Sequence, residues 1–294
     1  MPLFSIIIPT FNSSSTLPGA IQSVLSQDFN DYEIWIIDGK STDRTIELIE
    51  AYQLQDTKVH FISEPDNGIY DAMNKGIEKA DGDWLLFVGS DDELFDSRVL
   101  KNVSEEIVKS DTDFIYGDVM TKGNSSWAKD GTVYDGLFTA EKLLKRNICH
   151  QSVFYKRAVF RQTGNFNIQY TVCADWDMNH RFFARGKTRY IPHIISRFYA
   201  GGESTQNNHD LFTDRDCVIN IKKYYGISFF NKLFQNYGSI FCNIANEALQ
   251  HKAYSKSLYY FSFAVFHSES KYNLVKSFII NLAKSIRNYS GLEK

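Results

Sequence analysis

Phe4-Ser5-Ile6-Ile7-Ile8-Pro9-Thr10-Phe11-Asn12 opens the chain with a short apolar run closed by proline and small polar residues. A run of that length bounded by turn residues reads as a buried strand, and Pro9, which cannot donate to a ladder, marks its end. Leu17, Ala20, Ile21, Val24 and Leu25 follow at i, i+3, i+4, i+7 and i+8, with Ser15 or Thr16 as cap and Pro18 in the first turn. That spacing predicts an amphipathic helix. The same unit then recurs. Glu33-Ile34-Trp35-Ile36-Ile37 reads as a second strand ending in Asp38-Gly39, and Ser41-Thr42-Asp43 caps a helix carrying Ile46 and Ile49. Val59-His60-Phe61-Ile62 is a third strand, Ile69, Met73, Ile77 and Ala80 mark a third helix, and Trp84-Leu85-Leu86-Phe87-Val88 is a fourth strand leading into Gly89-Ser90-Asp91-Asp92. Strand and helix alternating with short connections predict an α/β fold with a mostly parallel sheet wrapped by helices.

Sheets of this kind bind ligands in the crevice beyond the carboxyl ends of their strands. At that edge the sequence places Pro9, Thr10, Phe11 and Asn12, then Asp38, then Glu64, Asp66, Asn67 and Gly68, then Ser90, Asp91 and Asp92. An acidic residue follows three of the four strands. No G-x-G-x-x-G follows the first strand and no G-x-x-x-x-G-K-[ST] occurs anywhere, which argues against dinucleotide folds and excludes P-loop enzymes. Carboxylates in place of a glycine cradle point to a divalent ion bridging protein and phosphate.

The composition, 43% hydrophobic and 23% charged over 294 residues, is that of a globular protein. The longest apolar runs are far too short to span a bilayer, and Met1-Pro2-Leu3-Phe4-Ser5 has no basic n-region. Cys149, Cys173, Cys217 and Cys242 are widely spaced and form no C-x-x-C pair. A cytoplasmic chain is expected. The net charge of −3 conceals an asymmetry: residues 219–294 hold ten Lys/Arg against three Asp/Glu, leaving 22 against 32 in residues 1–218.

Ser5 to Asn12 and Ile36-Ile37-Asp38-Gly39-Lys40-Ser41-Thr42-Asp43 resemble the opening of the family 2 glycosyltransferases. Glu64-Pro65-Asp66-Asn67-Gly68-Ile69-Tyr70-Asp71-Ala72-Met73-Asn74-Lys75-Gly76 is similar to the subgroup that builds O-antigen, colanic-acid-type and other bacterial surface polysaccharides. Gly82-Asp83-Trp84, Ser90-Asp91-Asp92, His150-Gln151, Ala174-Asp175-Trp176-Asp177 and Gly201-Gly202 continue the pattern in order, over about residues 3–204. The resemblance implies the GT-A fold, here as residues 1–215 with a helical extension at 216–294. It also implies inverting transfer of a sugar from a nucleoside-diphosphate donor, a UDP-sugar first and GDP or dTDP sugars as alternatives. The acceptor it implies is a growing, lipid-linked surface polysaccharide or O-antigen.

It further implies roles for residues. Asp92 is the metal ligand for Mn²⁺ or Mg²⁺, in a crevice open to solvent, with Asp91 near the ribose or sharing the metal. Asp38 binds the donor base, while Pro9, Thr10 and Phe11 hold its ring. Asp66 and Asn67 open a helix facing the donor diphosphate, so that Asn74 and Lys75 reach donor atoms. Inverting transfer needs a general base opposite the leaving group. The family's Glu-Asp pair reads Ala174-Asp175 here, which leaves Asp175 as the base, with Asp177 pointing elsewhere. His150 lies near donor or acceptor within a strand-like run from Ile148 to Tyr155. Acceptor specificity is expected in loops such as Lys122 to Gly136.

The rival reading is a catalytically silent nucleotide-sugar-binding scaffold of a polysaccharide assembly complex; it requires the acidic motif or the base to be missing, and both are present. Nucleic acid is excluded as a partner by the acidic main domain. Beyond residue 215, Leu258, Phe261 and Val265, then after Ser268-Glu269-Ser270 Leu274, Phe278, Leu282 and Ile286, form an apolar helical face accompanied by Lys271, Lys276, Lys284 and Arg287. That face either packs on protein or lies against an anionic membrane surface. The sequence does not define an oligomeric state.

Overall fold

The structure, a computed structural model, describes residues 1–124, 129–202, 210–250, 253–267 and 271–289. The chain forms two compact units, Met1–Asp210 and Leu211–Lys294.

The first unit begins as the sequence indicates. Strands β1 (Phe4–Thr10), β2 (Tyr32–Asp38), β3 (Val59–Ser63) and β4 (Trp84–Phe87) are all parallel, in the spatial order β3-β2-β1-β4, and alternate with α1 (Leu17–Leu25), α2 (Thr45–Gln55) and α3 (Ile69–Lys79). Pro9 does not end β1, which pairs on through Thr10 opposite Asp38. The first two helices are capped otherwise than expected: neither Ser15 nor Thr16 bonds the start of α1, and of the Ser41–Asp43 group only Asp43 Oδ1 accepts the Thr45 N–H, at 3.0 Å.

Alternate residues of each strand face opposite sides, so both faces are apolar and both are covered. Ile6, Ile8, Ile34, Ile36, Leu86 and Val88 belong to a core with Ile21, Val24 and Ile49 of α1 and α2. On the other face Ile7 lies against Gly76 of α3, where a Cβ would come within 2.4 Å of its side chain.

The second half of the sheet is mixed. After β5 (Glu93–Leu94) and α4 (Val99–Val108) come β6 (Phe114–Lys122), β7 (Val133–Tyr134), α5 (Ala140–Leu143), β8 (Val153–Lys156), α6 (Arg157–Thr163), α7 (Ala174–Phe183) and β9 (Thr188–Tyr199). The order continues β4-β8-β6-β9-β5, with β8 antiparallel to both β4 and β6. The run from Ile148 to Tyr155 is not one strand: His150–Ser152 form a 3₁₀ turn ahead of β8. Because β8 runs against β4, this turn stands at the carboxyl end of β4, beside the acidic turn. Aromatic rings fill the space under α7, with Phe114, Tyr155, Phe160 and Phe182 packed at centroid separations of 5.1–5.8 Å.

The second unit begins earlier than residue 216 because Phe212–Asp216, a π turn, packs with its helices: Lys256 pairs with Asp214 at 2.7 Å and Tyr260 donates to the Thr213 carbonyl. Helix α8 (Cys217–Gln250) is broken at Gly226, whose φ of 80° lies outside the helical region, and is followed by α9 (Tyr254–His267) and α10 (Lys271–Tyr289). The apolar face named from the sequence turns inward in part: Leu258 is 54% exposed. Phe278 is 2% exposed and stacks on Phe261 at 3.7 Å, while Asn281 and Ser285 on the same side bond Asn246 and the Leu249 carbonyl of α8. Exposed instead are Lys276, Ile279, Ile280 and Lys284. The Ser268–Ser270 break and the side chains of Leu274, Ile286, Lys271 and Arg287 lie outside the described residues. No described helix is long and apolar enough to cross a membrane.

Candidate active site

The acidic turn follows β4. At Gly89 a Cβ would lie 2.8 Å from both Asp91 Oδ1 and Asp92 Oδ2, so the two carboxylates crowd a backbone position that tolerates only glycine. Asp91 is half-buried and its Oδ2 faces Gly202. Asp92 is not open to solvent as expected: it is 4% exposed, and its Oδ1 accepts the Tyr199 N–H at 2.9 Å while Oδ2 accepts Gln151 Nε2 at 3.0 Å. The covers come from β9 and from the 3₁₀ turn, elements that sequence periodicity does not bring together. Burial, and then the neighbouring Asp91 carboxylate, push Asp92 up to about 7.

Asp175 sits in the first turn of α7 and is 6% exposed. Its Oδ1 accepts the Trp176 N–H at 2.8 Å and lies 3.0 Å from the Tyr70 hydroxyl; its Oδ2 lies 3.3 Å from His150 Nδ1. Asp177 points elsewhere, pairing with Arg181 at 3.1 Å, one turn along the helix. Arg181 Nη1 in turn donates to the carbonyls of Thr163, Gly164 and Asn165, so this carboxylate braces the segment between α6 and α7.

The residues expected at the donor are placed unevenly. Thr10 is buried at the end of β1, and Phe11 beyond it is 60% exposed. Asp38 is fully buried and engaged within the chain: its carboxylate accepts Ser41 N and Oγ and, at 2.6 Å, Ser63 Oγ. Asp66 Oδ1 accepts the Gly68 N–H that precedes α3, and Asn67 bonds Asp71. Asn74 and Lys75 are engaged within the chain. Asn74 bonds both backbone groups of Phe166, at 3.0 and 2.9 Å, and Lys75 donates to the Pro65 carbonyl at 2.6 Å and pairs with Glu64 at 3.1 Å. Both are tied up by contacts that a helical wheel does not reveal.

A cavity of about 630 Å³ takes in Asp91, Asp92, His150 and Asp175 together with Tyr70, Tyr134, Lys145, Arg146 and Trp176. Sequence reasoning missed Tyr70, Gln151 as the cover of Asp92, and Tyr199. Tyr70 and Gln151 stood inside quoted motifs; Tyr199 carries no signal apart from the fold. Among the described residues no group of three or more His, Cys, Asp and Glu side chains gathers. The pair Asp91–Asp92, crowded around Gly89, fits a hard divalent ion that takes its remaining oxygens from phosphate and water, as Mg²⁺ characteristically does.

Residues 5–165 match the family described as Glycosyl transferase family 2. The chain belongs to this family and is a glycosyltransferase of the GT-A fold. It is 39% identical over 204 residues to a PGL/p-HBAD biosynthesis glycosyltransferase of Mycobacterium tuberculosis, covering 67% of this chain and 77% of that protein. It is 26% identical over 237 residues to the chondroitin synthase of Escherichia coli, covering 76% of this chain and 34% of that enzyme. In fold it is similar to S. aureus TarS 1-349, solved in complex with UDP, with a TM-score of 0.67 at 16% identity over 100% of this chain and 92% of that one. It is also similar to the mannosyltransferase PcManGT of Pyrobaculum calidifontis, solved with GDP-Man and Mn2+, with a TM-score of 0.57 at 11% identity over 100% and 76%.

Proposed function

We propose that the protein transfers a sugar, with inversion, from a nucleoside-diphosphate donor to a hydroxyl of a lipid-linked surface glycan. The observation that carries this reading is that the Asp175 carboxylate and the Asp91–Asp92 pair line one cavity. Asp175 Oδ2 takes the proton of the acceptor hydroxyl as that oxygen bonds to the anomeric carbon. The bond from that carbon to the donor phosphate breaks, and the nucleoside diphosphate leaves with the electron pair. Asp92, with Asp91, would hold Mg²⁺ or Mn²⁺, which supplies positive charge to the departing diphosphate when bound. Thr10, Phe11 and Asp38 at the ends of β1 and β2 form the nucleotide end. A UDP-sugar is the first donor proposed, with GDP- and dTDP-sugars as alternatives. Lys276 and Lys284, flanking exposed Ile279 and Ile280, support peripheral attachment to an anionic membrane surface, where a lipid-linked acceptor resides.

The test is a panel of UDP-, GDP- and dTDP-sugars with Mn²⁺, read first as thermal stabilisation and then, for the donor that binds, as the anomeric configuration of the initial product by NMR. Inversion is expected; retention would remove the single-step mechanism.

A further inference from the structure

Tyr70 lies in the first turn of α3, within the stretch whose resemblance pointed to the donor, yet its hydroxyl meets the base. We infer that Tyr70 is a positioning residue for Asp175: together with the Trp176 N–H it holds Oδ1, so that Oδ2 is the oxygen presented to the acceptor hydroxyl. This rests on the reading of Asp175 as the base.

Tyr70 is 5% exposed, its ring packs against Phe166 at 5.6 Å, and its hydroxyl lies 2.6 Å from the Val172 carbonyl and 3.0 Å from Asp175 Oδ1. A phenol has one proton to give and here faces two acceptors. Burial and the Asp175 charge hold its pKa well above the ordinary range, so the hydroxyl stays a donor throughout the working pH range. The Val172 peptide is gripped from its other side as well: its N–H, at 2.8 Å, and the Cys173 N–H, at 3.3 Å, both donate to Asp210 Oδ2. The segment leading into the base is thus pinned by Asp210 and Tyr70, but only Tyr70 also reaches the carboxylate. The proton that this hydroxyl offers Oδ1, beside the Trp176 N–H, fixes the plane of the carboxylate. The other titratable groups around Asp175 are Cys149 and His150 ahead of β8, Tyr155 of β8, Tyr134 of β7 and Cys173 of its own loop.

The test is Tyr70→Phe, which keeps the ring packing, with Asp210→Asn as the variant that loosens the same loop without touching Asp175. Expected for Tyr70→Phe are a kcat lowered tenfold or more, with a donor KM and a UDP–Mn²⁺ stabilisation within twofold of wild type. Asp210→Asn is expected to keep kcat within threefold of wild type. A wild-type kcat in Tyr70→Phe overturns the inference. So does an equal loss of kcat in Asp210→Asn, which means loop bracing only, or a loss accompanied by failure of nucleotide stabilisation, which means a donor-site or folding role. If Tyr70→Phe is silent while Asp175→Asn is dead, the base stands and only this inference falls; an active Asp175→Asn removes the base itself.

Discussion

His150 Nδ1 lies 3.3 Å from Asp175 Oδ2, joining the 3₁₀ turn ahead of β8 to the first turn of α7. A carboxylate oxygen only accepts, so the ring nitrogen facing it carries a proton. The contact fixes the plane of the carboxylate from the side opposite Tyr70. Asp175→Asn keeps the shape and removes the basicity. Its transfer rate is expected to fall about 10²–10⁴-fold, with donor stabilisation retained, and His150→Ala is expected to lose less. Steady-state transfer assays beside nucleotide thermal shifts check this; full activity in Asp175→Asn together with an inactive Asp177→Asn would assign the base to the wrong carboxylate.

A second expectation concerns Asp92. An acid whose pKa is raised on folding, here from 3.8 to about 7, binds its proton more tightly in the folded chain. Its contribution to stability is therefore fully present below the unfolded value and is lost as pH climbs through the folded one. Without divalent ions, Asp92→Asn is expected to melt above the wild type at pH 8, and the gap should narrow by pH 5. Adding UDP and Mn²⁺ should reverse the order, because only the wild type gains from the ion. Scanning calorimetry with and without chelator checks both halves, and equal destabilisation of the variant at pH 5 and pH 8 contradicts the first.

Asn74 separates a structural residue from a donor contact. With both side-chain groups bonded to the Phe166 backbone, Asn74→Ala is expected to cost roughly 1–3 kcal/mol of stability through the unpaired groups it leaves, with donor affinity unchanged. A weaker Kd for the donor at unaltered Tm would restore the role read from the sequence.

The exposed stripe of α10 predicts where a bilayer would be met. A basic side chain near an anionic surface contributes about 1 kcal/mol, so Lys276→Gln with Lys284→Gln should weaken binding to phosphatidylserine vesicles roughly 30-fold at low salt. Ile279→Ser with Ile280→Ser should weaken it further without lowering Tm, since both are exposed. Sedimentation with vesicles at low and high salt is the measurement, and a full chain that ignores vesicles at low salt ends the membrane reading.

What was legible in the sequence was what the chain writes locally. Ile6 to Ile8, Ile34 to Ile37 and Trp84 to Val88 announce strands by themselves, and the acids after the latter two follow from reading to the strand's end. The four strands accordingly lie in parallel register. Three things were written across distance and so were hidden. The reversal of β8, which brings Gln151 onto Asp92, depends on a pairing between residues some 70 apart in the chain. The commitment of Asn74 depends on Phe166, from a loop 92 positions later. The apolar face of α10 is correctly periodic, but periodicity says that a face exists and not what covers it; the stack of Phe278 on Phe261 does.

The antiparallel seating of β8 also bears on how such a catalyst diversifies. Leu86 and Ile115 both pair with Phe154, one on each side, so the register of β8 is set twice, independently of the excursion that precedes it. That excursion, from Gly123 to Asn147, contributes Tyr134, Lys145 and Arg146 to the cavity wall, whereas Asp91, Asp92 and Asp175 are held by other elements. A change of length or composition in that segment is expected to alter which molecules the pocket admits, with Asp91 and Asp92 left in place.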